Sequence, residues 1–277
     1  MKVFDSISEW MTFRKGLTSL PPSDMSATET RQQISSNIRP AINPPHSLGF
    51  VPTMGALHEG HISLVQKSKL ENSNTLVSIF VNPTQFNNSV DFEKYPTNIS
   101  RDLLLLENTK VDFVLLPNTN DIYPGGNTVK VTENQDSKIL CGAYRPGHFD
   151  GVLTIMNKLL NIAAAQNCYM GEKDYQQLHL VKEMVQNFFL PTNIIACPTV
   201  REKNGLAMSS RNERLSPAER EKAAMIYKYL KQPIPCEEIS TQLKAAGFEV
   251  DYVEEHWHRK FVAAHLEGVR LIDNVEC

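Results

Sequence analysis

Apolar and polar positions along the chain form two kinds of segment. Short continuous apolar runs predict buried strands, and longer runs with a repeat of three to four residues predict amphipathic helices. Strands are expected at residues 48–52, 75–82, 111–117, 168–171 and 193–200. Helices are expected within 2–20, after a short strand or helix start, and at 60–72, 98–110, 151–165, 174–189 and 217–231.

Strands that alternate with helices are typical of a parallel, doubly wound sheet. We predict this α/β fold for residues 1–199 and a small α+β domain for residues 200–277. Residues 21–47 are polar and flanked by proline, which indicates an inserted loop with room for one helix near 27–38. Ligands of doubly wound sheets bind at the carboxyl ends of the strands, so the residues that follow the strands are the candidates for function.

Composition and charge narrow the class of protein. Of the 277 residues, 41% are apolar and 21% are charged, which is ordinary for a globular enzyme. A net charge of −3 gives no general attraction to nucleic acid or to anionic membranes. No apolar run approaches the ~20 residues that span a bilayer, and the N-terminus lacks the apolar region of a secretory signal. The five cysteines show no CxxC spacing, so we expect no disulfide framework or zinc site, and a cytoplasmic location.

The segment VPTMGALHEGHISL (51–64) carries the strongest chemical pattern. Its HxGH pair stands where a strand turns into a helix, whose N-terminus offers free N–H groups and a positive dipole to phosphate. His58 and His61 project from one helix face, and Gly60 leaves room for a ligand between them. We interpret the pair as stabilising phosphate charge during transfer. From this segment alone, a turn with two surface histidines and, less favoured, a metal site stay open.

Two more strand ends carry candidate groups. In SIFVNPTQF (78–86), the amide of Gln85 offers both a donor and an acceptor, which suits a hydroxy-acid substrate, although it could equally bond its own loop. In GEKDYQQL (171–178), Lys173 is suited to nucleotide phosphates, Asp174 to ribose hydroxyls or to capping the helix, and Gln177 lies one turn further on. Solvated charges on a capped helix are the alternative.

The remaining candidates lie in loops. LAMSSRN (206–212) fits a mobile flap in which Arg211 grips phosphate with two donors, or alternatively an exposed serine-rich loop. RPGHFDGV (145–152) places Arg145 and His148 around a Pro-Gly turn before a helix. Four carboxylates are possible partners for Mg²⁺, and no spacing singles one out: Asp91, Glu93, Asp102 and Glu172.

In their order along the chain, PTMGALHEGH, SIFVNPTQF, RPGHFDGV, GEKDYQQL, PTVRE and LAMSSRN resemble the pantoate–β-alanine ligase (pantothenate synthetase) family. The resemblance covers residues 48–220 and resumes at RLIDN (270–274). This family belongs to the HIGH superfamily of nucleotidyl-transferring enzymes. The resemblance implies a Rossmann-type domain, a small C-terminal lid domain and a homodimer.

The resemblance also implies a reaction and its residues. ATP, with Mg²⁺, and pantoate would form pantoyl adenylate and pyrophosphate, and β-alanine would then displace AMP to give pantothenate. His58, Lys173 and Arg211 would be catalytic, together with His61 as the proton donor. ATP binding is assigned to Met54, Gly55, Ala56, Leu57, His58, Glu59, Gly60, His61, Gly171, Glu172, Lys173, Asp174, Val200, Met208, Ser209, Ser210 and Arg211. Substrate binding is assigned to Met54, Arg145, Gln85 (pantoate and β-alanine) and Gln177 (pantoate).

Departures from the family pattern and rival functions bear on this hypothesis. The segment before residue 48 is expected to be longer than usual, and the part between Arg220 and Leu271 shorter, which would reduce the lid. A cytidylyl- or adenylyltransferase would share the HxGH turn without needing the other motifs. A non-catalytic nucleotide-binding protein would not need His61, Lys173 and Arg211, all of which are present. A synthetase acting on RNA would need a basic surface.

Overall fold

A computed structural model of the chain describes residues 1–18, 47–87 and 89–277. The strands of this part are β1 Lys2–Phe4, β2 Leu48–Thr53, β3 Asn74–Ile79, β4 Phe113–Leu115, β5 Asn167–Gly171, β6 Asn193–Cys197, β7 Glu249–His256, β8 Arg259–Leu266 and β9 Val269–Glu276. The helices are α1 Ile7–Thr18, α2 Glu59–Glu71, α3 Ser89–Glu93, α4 Ile99–Asn108, α5 Thr119–Ile122, α6 Cys141–Tyr144, α7 His148–Ala163, α8 Tyr175–Asn187, α9 Pro217–Ala223, α10 Met225–Leu230 and α11 Cys236–Ala245. Short 3-10 turns lie at Pro83–Gln85, Asp136–Lys138, Glu172–Asp174 and Ser210–Arg214.

The first six strands form one parallel sheet in the order β1-β4-β3-β2-β5-β6. The chain winds from β2 through β3 to β4 on one side and then places β5 and β6 on the other. The strand order therefore reverses between β2 and β5, and ligands of such sheets bind beyond the carboxyl ends at this point. The predicted doubly wound α/β fold is confirmed.

Neighbouring residues of the central strands point to opposite faces of the sheet, and both faces are buried. Phe50 and Leu76 join a core cluster with Leu153 of α7. Val51 and Val77 join a second cluster on the opposite face, which includes Leu64, Val65, Leu106, Val111, Val114 and Tyr169. This burial explains why the predicted strands are apolar without alternation.

The C-terminal region is a three-stranded antiparallel sheet, β7-β8-β9, with helices on one face. Val262 and Leu266 of β8 pack into a separate core with α10 and α11. Phe261 and Ala263 point the other way and belong to the core of the N-terminal region. The small α+β part is thus present, and its sheet lies between its own helices and the core of the N-terminal region. The boundary at residues 199/200 stays a prediction.

Several element boundaries differ from the sequence predictions. The helix expected at 217–231 is divided into α9 and α10 at Ala224, where the hydrogen bond from the Lys228 N–H to the Ala224 carbonyl stretches to 3.4 Å. Helix α7 begins at His148 because Gly147 adopts φ 79° and ends the preceding turn there. The insertion predicted at 21–47, with its helix near 27–38, lies outside the described residues except for Ser47. No helix in the described part of the chain has the length and hydrophobicity to cross a membrane.

Candidate active site

The HxGH turn connects β2 to α2 and is held from below by a buried carboxylate. Asp102 of α4 is fully buried and accepts hydrogen bonds from the backbone N–H groups of Ala56 and Leu57, both at 2.8 Å. Gly55 adopts φ +80°, and a Cβ there would lie 3.0 Å from the Asp102 carboxylate. Burial raises the pKa of Asp102, while the hydrogen bonds from the two backbone N–H groups act against that shift. The turn therefore depends on Asp102 for its shape.

The two histidines bond reciprocally at the start of α2. The Nδ1 atom of His58 accepts from the Gly60 N–H at 3.1 Å, and the Nδ1 atom of His61 accepts from the His58 N–H at 3.4 Å. Burial, with Lys173 nearby, lowers the pKa of His58 to about 4, and burial beside His58 lowers that of His61 to about 3. Both rings are therefore neutral at neutral pH. With Nδ1 accepting, each ring carries its proton on Nε2, so each offers one N–H donor.

Gln85 follows β3 and is oriented by its neighbours. Its Nε2 donates to the Met54 sulfur at 3.1 Å, and its Oε1 accepts from the Asn82 side chain at 3.1 Å. Asn82 is buried and accepts from the Tyr123 hydroxyl at 2.7 Å. A Cβ on Gly151 would lie 2.4 Å from the Thr84 carbonyl oxygen, so α7 packs directly on this turn.

Arg145 and His148 form a second support for the same turn. The Nδ1–H of His148 donates to the Gln85 carbonyl at 2.8 Å, and Arg145 donates to that carbonyl at 3.2 Å. Arg145 also donates to His148 Nε2 at 3.1 Å, which requires a neutral ring. Burial next to Arg145 lowers the pKa of His148 to about 3, in agreement with that geometry.

The GEKD turn connects β5 to α8. The Lys173 ammonium lies 3.8 Å from the Asp174 carboxylate, and the Lys173 side chain is 19% exposed. Gln177 follows on the first turn of α8 and, with these two residues, lines the central cavity. The neighbouring Gln176 is buried and donates instead to the carbonyls of Asp136 and Ile139.

The LAMSSRN segment closes a loop whose base is a bridge between Arg201 and Ala207. The Ser209 hydroxyl accepts from the Arg211 N–H at 3.3 Å and starts the 3-10 turn. The guanidinium of Arg211 pairs with Asp91 of α3 at 2.9 Å and lies over the Tyr95 ring at 5.7 Å. The guanidinium of Arg211, the candidate phosphate ligand of the flap, is thus paired with a carboxylate.

These segments surround one cavity of about 240 Å³. Most of the predicted site residues line it: Met54, His58, Gly60, His61, Gln85, Arg145, Gly171, Lys173, Asp174, Gln177, Val200, Met208, Ser209, Ser210 and Arg211. A larger cavity of about 540 Å³ continues from it between the flap and β9, and Lys173 and Arg211 line both. The convergence of separate strand ends on one crevice follows from the strand order.

Not all of the assigned residues line the central cavity, and some of the lining residues were not assigned. Five of the assigned ATP-binding residues do not line the central cavity: Gly55, Ala56, Leu57, Glu59 and Glu172. The first three are buried in the turn above Asp102, and Glu59 is exposed. Several lining residues were not predicted from the sequence, among them Asn82, Tyr95, Val152, Ile155, Met156 and Thr199. Asn82, Val152 and Thr199 lie inside motifs already recognised, whereas Ile155 and Met156 of α7 resemble ordinary core positions.

The four carboxylates considered for Mg²⁺ are mostly engaged elsewhere. Asp102 bonds two backbone amides, Asp91 pairs with Arg211, and Glu172 lies 3.8 Å from the Arg259 guanidinium. Glu93 is exposed and does not line the central cavity. Among the described residues, the group with metal-ligand spacing is Asp136, His179 and Glu183, which lines neither cavity.

Comparison with known proteins identifies the family. The family model described as pantoate–β-alanine ligase matches residues 26–276. A pantothenate synthetase of Bdellovibrio bacteriovorus is 50% identical over 230 residues, 83% of this chain and 92% of that protein. One from Legionella pneumophila (strain Lens) is 44% identical over 274 residues, 99% of each chain. Because that alignment spans nearly all of both chains, neither the expected insertion nor the expected shortening sets this chain apart from that relative.

Solved structures agree with the sequence comparison. The pantoate–β-alanine ligase of Francisella tularensis, complexed with β-γ ATP and β-alanine, has a TM-score of 0.85 at 40% identity and covers 100% of this chain and 97% of its own. Pantothenate synthetase of Thermus thermophilus has a TM-score of 0.81 at 33% identity, with 100% and 99% covered. The match in sequence extends over nearly the whole fold, including both sheets. The chain therefore belongs to the pantoate–β-alanine ligase family.

Proposed function

We propose that the protein joins pantoate to β-alanine in its central cavity, in two ATP-dependent steps. Pantoate attacks the α-phosphorus of ATP to give bound pantoyl adenylate and pyrophosphate, and the amine of β-alanine then attacks the acyl carbon and releases AMP. The observation that carries this proposal is the meeting of the HxGH turn, the two glutamines Gln85 and Gln177, and Lys173 around one cavity. A cytidylyl- or adenylyltransferase is not favoured, because the matching relatives are pantothenate synthetases.

ATP would lie between the HxGH turn, the GEKD turn and the flap. The Nε2–H groups of His58 and His61 would donate to phosphate oxygens as neutral rings, so His61 would act as a hydrogen-bond donor in its ground state. Lys173 supplies a positive charge to the phosphates, and Arg211 would leave Asp91 to reach them. The assigned residues that line the cavity would complete this site through backbone and side-chain contacts: Met54, Gly60, Gly171, Asp174, Val200 and 208–210. Gly55, Ala56, Leu57, Glu59 and Glu172 lie outside the cavity lining and would shape the two turns.

Pantoate would lie between the glutamines and α7. Gln85, oriented by Met54 and Asn82, would bond the hydroxy acid together with Gln177. Arg145 would balance the carboxylate charge. The two methyl groups of pantoate need an apolar surface, which α7 offers through Val152, Ile155 and Met156. β-Alanine would enter beside Gln85.

Positioning and charge would carry most of the catalysis. A carboxylate that attacks the α-phosphorus of ATP and displaces pyrophosphate brings two anions together, so Lys173, Arg211 and the histidine donors would lower the barrier by neutralising developing charge. One such donor is commonly worth about 10²–10³ in rate. The mechanism needs no nucleophilic residue on the enzyme. Exclusion of water would protect the adenylate until the amine arrives.

Three further properties belong to the proposed function: the binding of Mg²⁺, the oligomeric state and the cellular location. Mg²⁺ usually takes phosphate oxygens and one or two carboxylates, and among the described residues Asp174 is the carboxylate that lines the central cavity. The four carboxylates considered from the sequence are engaged elsewhere or lie outside the central cavity, so they do not fit this role. The resemblance further implies a homodimer in the cytoplasm. Light scattering of the purified protein tests the dimer.

The test of the proposed function is pyrophosphate release from Mg-ATP and pantoate, with and without β-alanine. One stoichiometric burst without β-alanine, followed by steady turnover to AMP and pantothenate when it is added, is expected. Continuous release without β-alanine would mean that the adenylate escapes to water. No release in either case would contradict the ligase assignment.

A further inference from the structure

The last strand, β9, has two faces with different partners. Val269 and Leu271 point into the core of the C-terminal region. Ile272 points the other way, toward the N-terminal core. Asn274 lies on the same face as Ile272 because side chains alternate along a strand, and it is only 2% exposed. A buried amide on this face requires polar partners in the N-terminal region or in its own sheet.

Asn274 finds these partners in the GEKD turn. Its Nδ2 donates to the carbonyl oxygens of Glu172 at 2.9 Å and Lys173 at 3.0 Å. Its Oδ1 accepts from Nε of Arg259 at 2.8 Å. The Arg259 guanidinium lies over the Tyr175 ring at 4.4 Å, which holds this donor in place. Since Arg259 supplies only donors, it fixes which end of the amide faces the turn.

The two carbonyls belong to the two peptide planes that flank the Cα atom of Lys173. Peptide units are planar, so holding both planes fixes the backbone conformation at Lys173 and the direction of its side chain. The turn has little support of its own. Gly171 offers no side chain, and Asp174 makes no capping hydrogen bond at the start of α8.

We propose that Asn274 is a positioning residue for Lys173, and that through it the C-terminal sheet sets the geometry of the phosphate site. This inference rests on the role given to Lys173 in the proposed function. The neighbouring Asp273 is also buried and bonds Arg201 at 2.6 and 2.9 Å, at the base of the flap. The RLIDN segment (270–274) of β9 had no assigned role. Through Asn274 and Asp273 it bonds two loops of the ATP site, the GEKD turn and the flap.

The test compares Asn274→Asp with Leu266→Ala. The aspartate keeps the shape and the acceptor for Arg259 but replaces the two donors by oxygen. We expect kcat/KM for ATP to fall by about 10- to 100-fold, because displacements near 1 Å have effects of this size, while KM for β-alanine changes little. Leu266→Ala opens a cavity in the C-terminal core away from the turn, so it should lower Tm with kcat/KM for ATP preserved. Arg259→Lys, which removes the Nε donor but keeps the charge, should give a milder loss of the same kind.

A double-mutant cycle with Lys173→Ala separates the possible outcomes. If Asn274 acts through Lys173, Asn274→Asp should change kcat/KM by less than about twofold in the Lys173→Ala background. An equal loss in both backgrounds would overturn the inference, as would a lowered Tm with kcat/KM for ATP unchanged in both Asn274→Asp and Arg259→Lys. A fully active Lys173→Ala single variant would instead show that the proposed role of Lys173 is wrong.

Discussion

The HxGH turn and the GEKD turn follow neighbouring strands, β2 and β5, yet they are held in different ways. The HxGH turn is supported by its own two histidines and by Asp102, all within the N-terminal region. The GEKD turn has no comparable cap, and its carbonyls are bonded by Asn274 from the C-terminal sheet. The first turn is thus held by residues of the N-terminal region. Two carbonyls of the second turn are held by a residue of the C-terminal sheet.

The largest effect is expected from Asp102→Leu. This change leaves two buried N–H groups, on Ala56 and Leu57, without an acceptor, at a cost of about 1–3 kcal/mol for each. Urea unfolding should show a loss of about 2–6 kcal/mol, together with loss of adenylation. Glu107→Leu, at an exposed position of the same helix, is the control. A variant as stable as the wild type would contradict the support that we assign to Asp102.

Next in size are His61→Ala and Lys173→Ala, one from each turn. Each should lower adenylation by at least ~10²-fold without unfolding the protein, because each removes a donor to the developing phosphate charge. Pyrophosphate release and circular dichroism measure the two properties. Lys182→Ala, at an exposed position on α8, should keep full activity. Near-normal turnover in either site variant would remove that turn from the proposed phosphate site.

A smaller effect is expected from Asp91→Asn, which concerns the flap rather than either turn. Asp91 and Arg211 form a partly exposed pair, so stability should change by less than about 1 kcal/mol. Arg211 should then reach phosphate more easily, and KM for ATP should fall by up to about fivefold. Initial rates against ATP concentration test this. A raised KM would mean that Asp91 orients Arg211 for binding.

The effect that is smallest at neutral pH is a pH dependence of stability that originates in the HxGH turn, because it develops only as the pH falls below 6.5. His58 and His61 have folded-state pKa values of about 4 and about 3, below the unfolded value near 6.5. The unfolded chain therefore binds more protons as the pH falls below 6.5, so these two rings reduce stability progressively from pH 6.5 toward pH 3. Urea midpoints across this range should show a shallower decline in His61→Gln than in the wild type. An identical decline would exclude the His61 ring as a contributor.

Much of the site was predictable because three of its motifs, HxGH, VNPTQF and GEKD, follow strands. Once the apolar runs indicated a parallel sheet, the carboxyl ends of its strands brought His61, Gln85 and Lys173 toward one crevice. The groups that hold these residues in place were not predictable. Asp102 was considered as a magnesium ligand and instead bonds two amides, because only the packing of α4 under the turn brings them together. The short helices α3, α5 and α6 were not predicted either, because four or five residues are too few to show the helical repeat of apolar positions.

The sequence by itself determined the α/β order, the parallel sheet and the identity of the cavity-lining motifs, since these depend on local periodicity and on residues close together in the chain. Only the tertiary structure decided which groups hold those motifs. The proton lies on Nε2 of both histidines because each Nδ1 accepts a hydrogen bond from a backbone N–H. The backbone of Lys173 is held by hydrogen bonds from Asn274, about a hundred positions later in the chain. A hydrogen bond between such distant residues leaves no periodic signal, because it depends on how the two sheets dock.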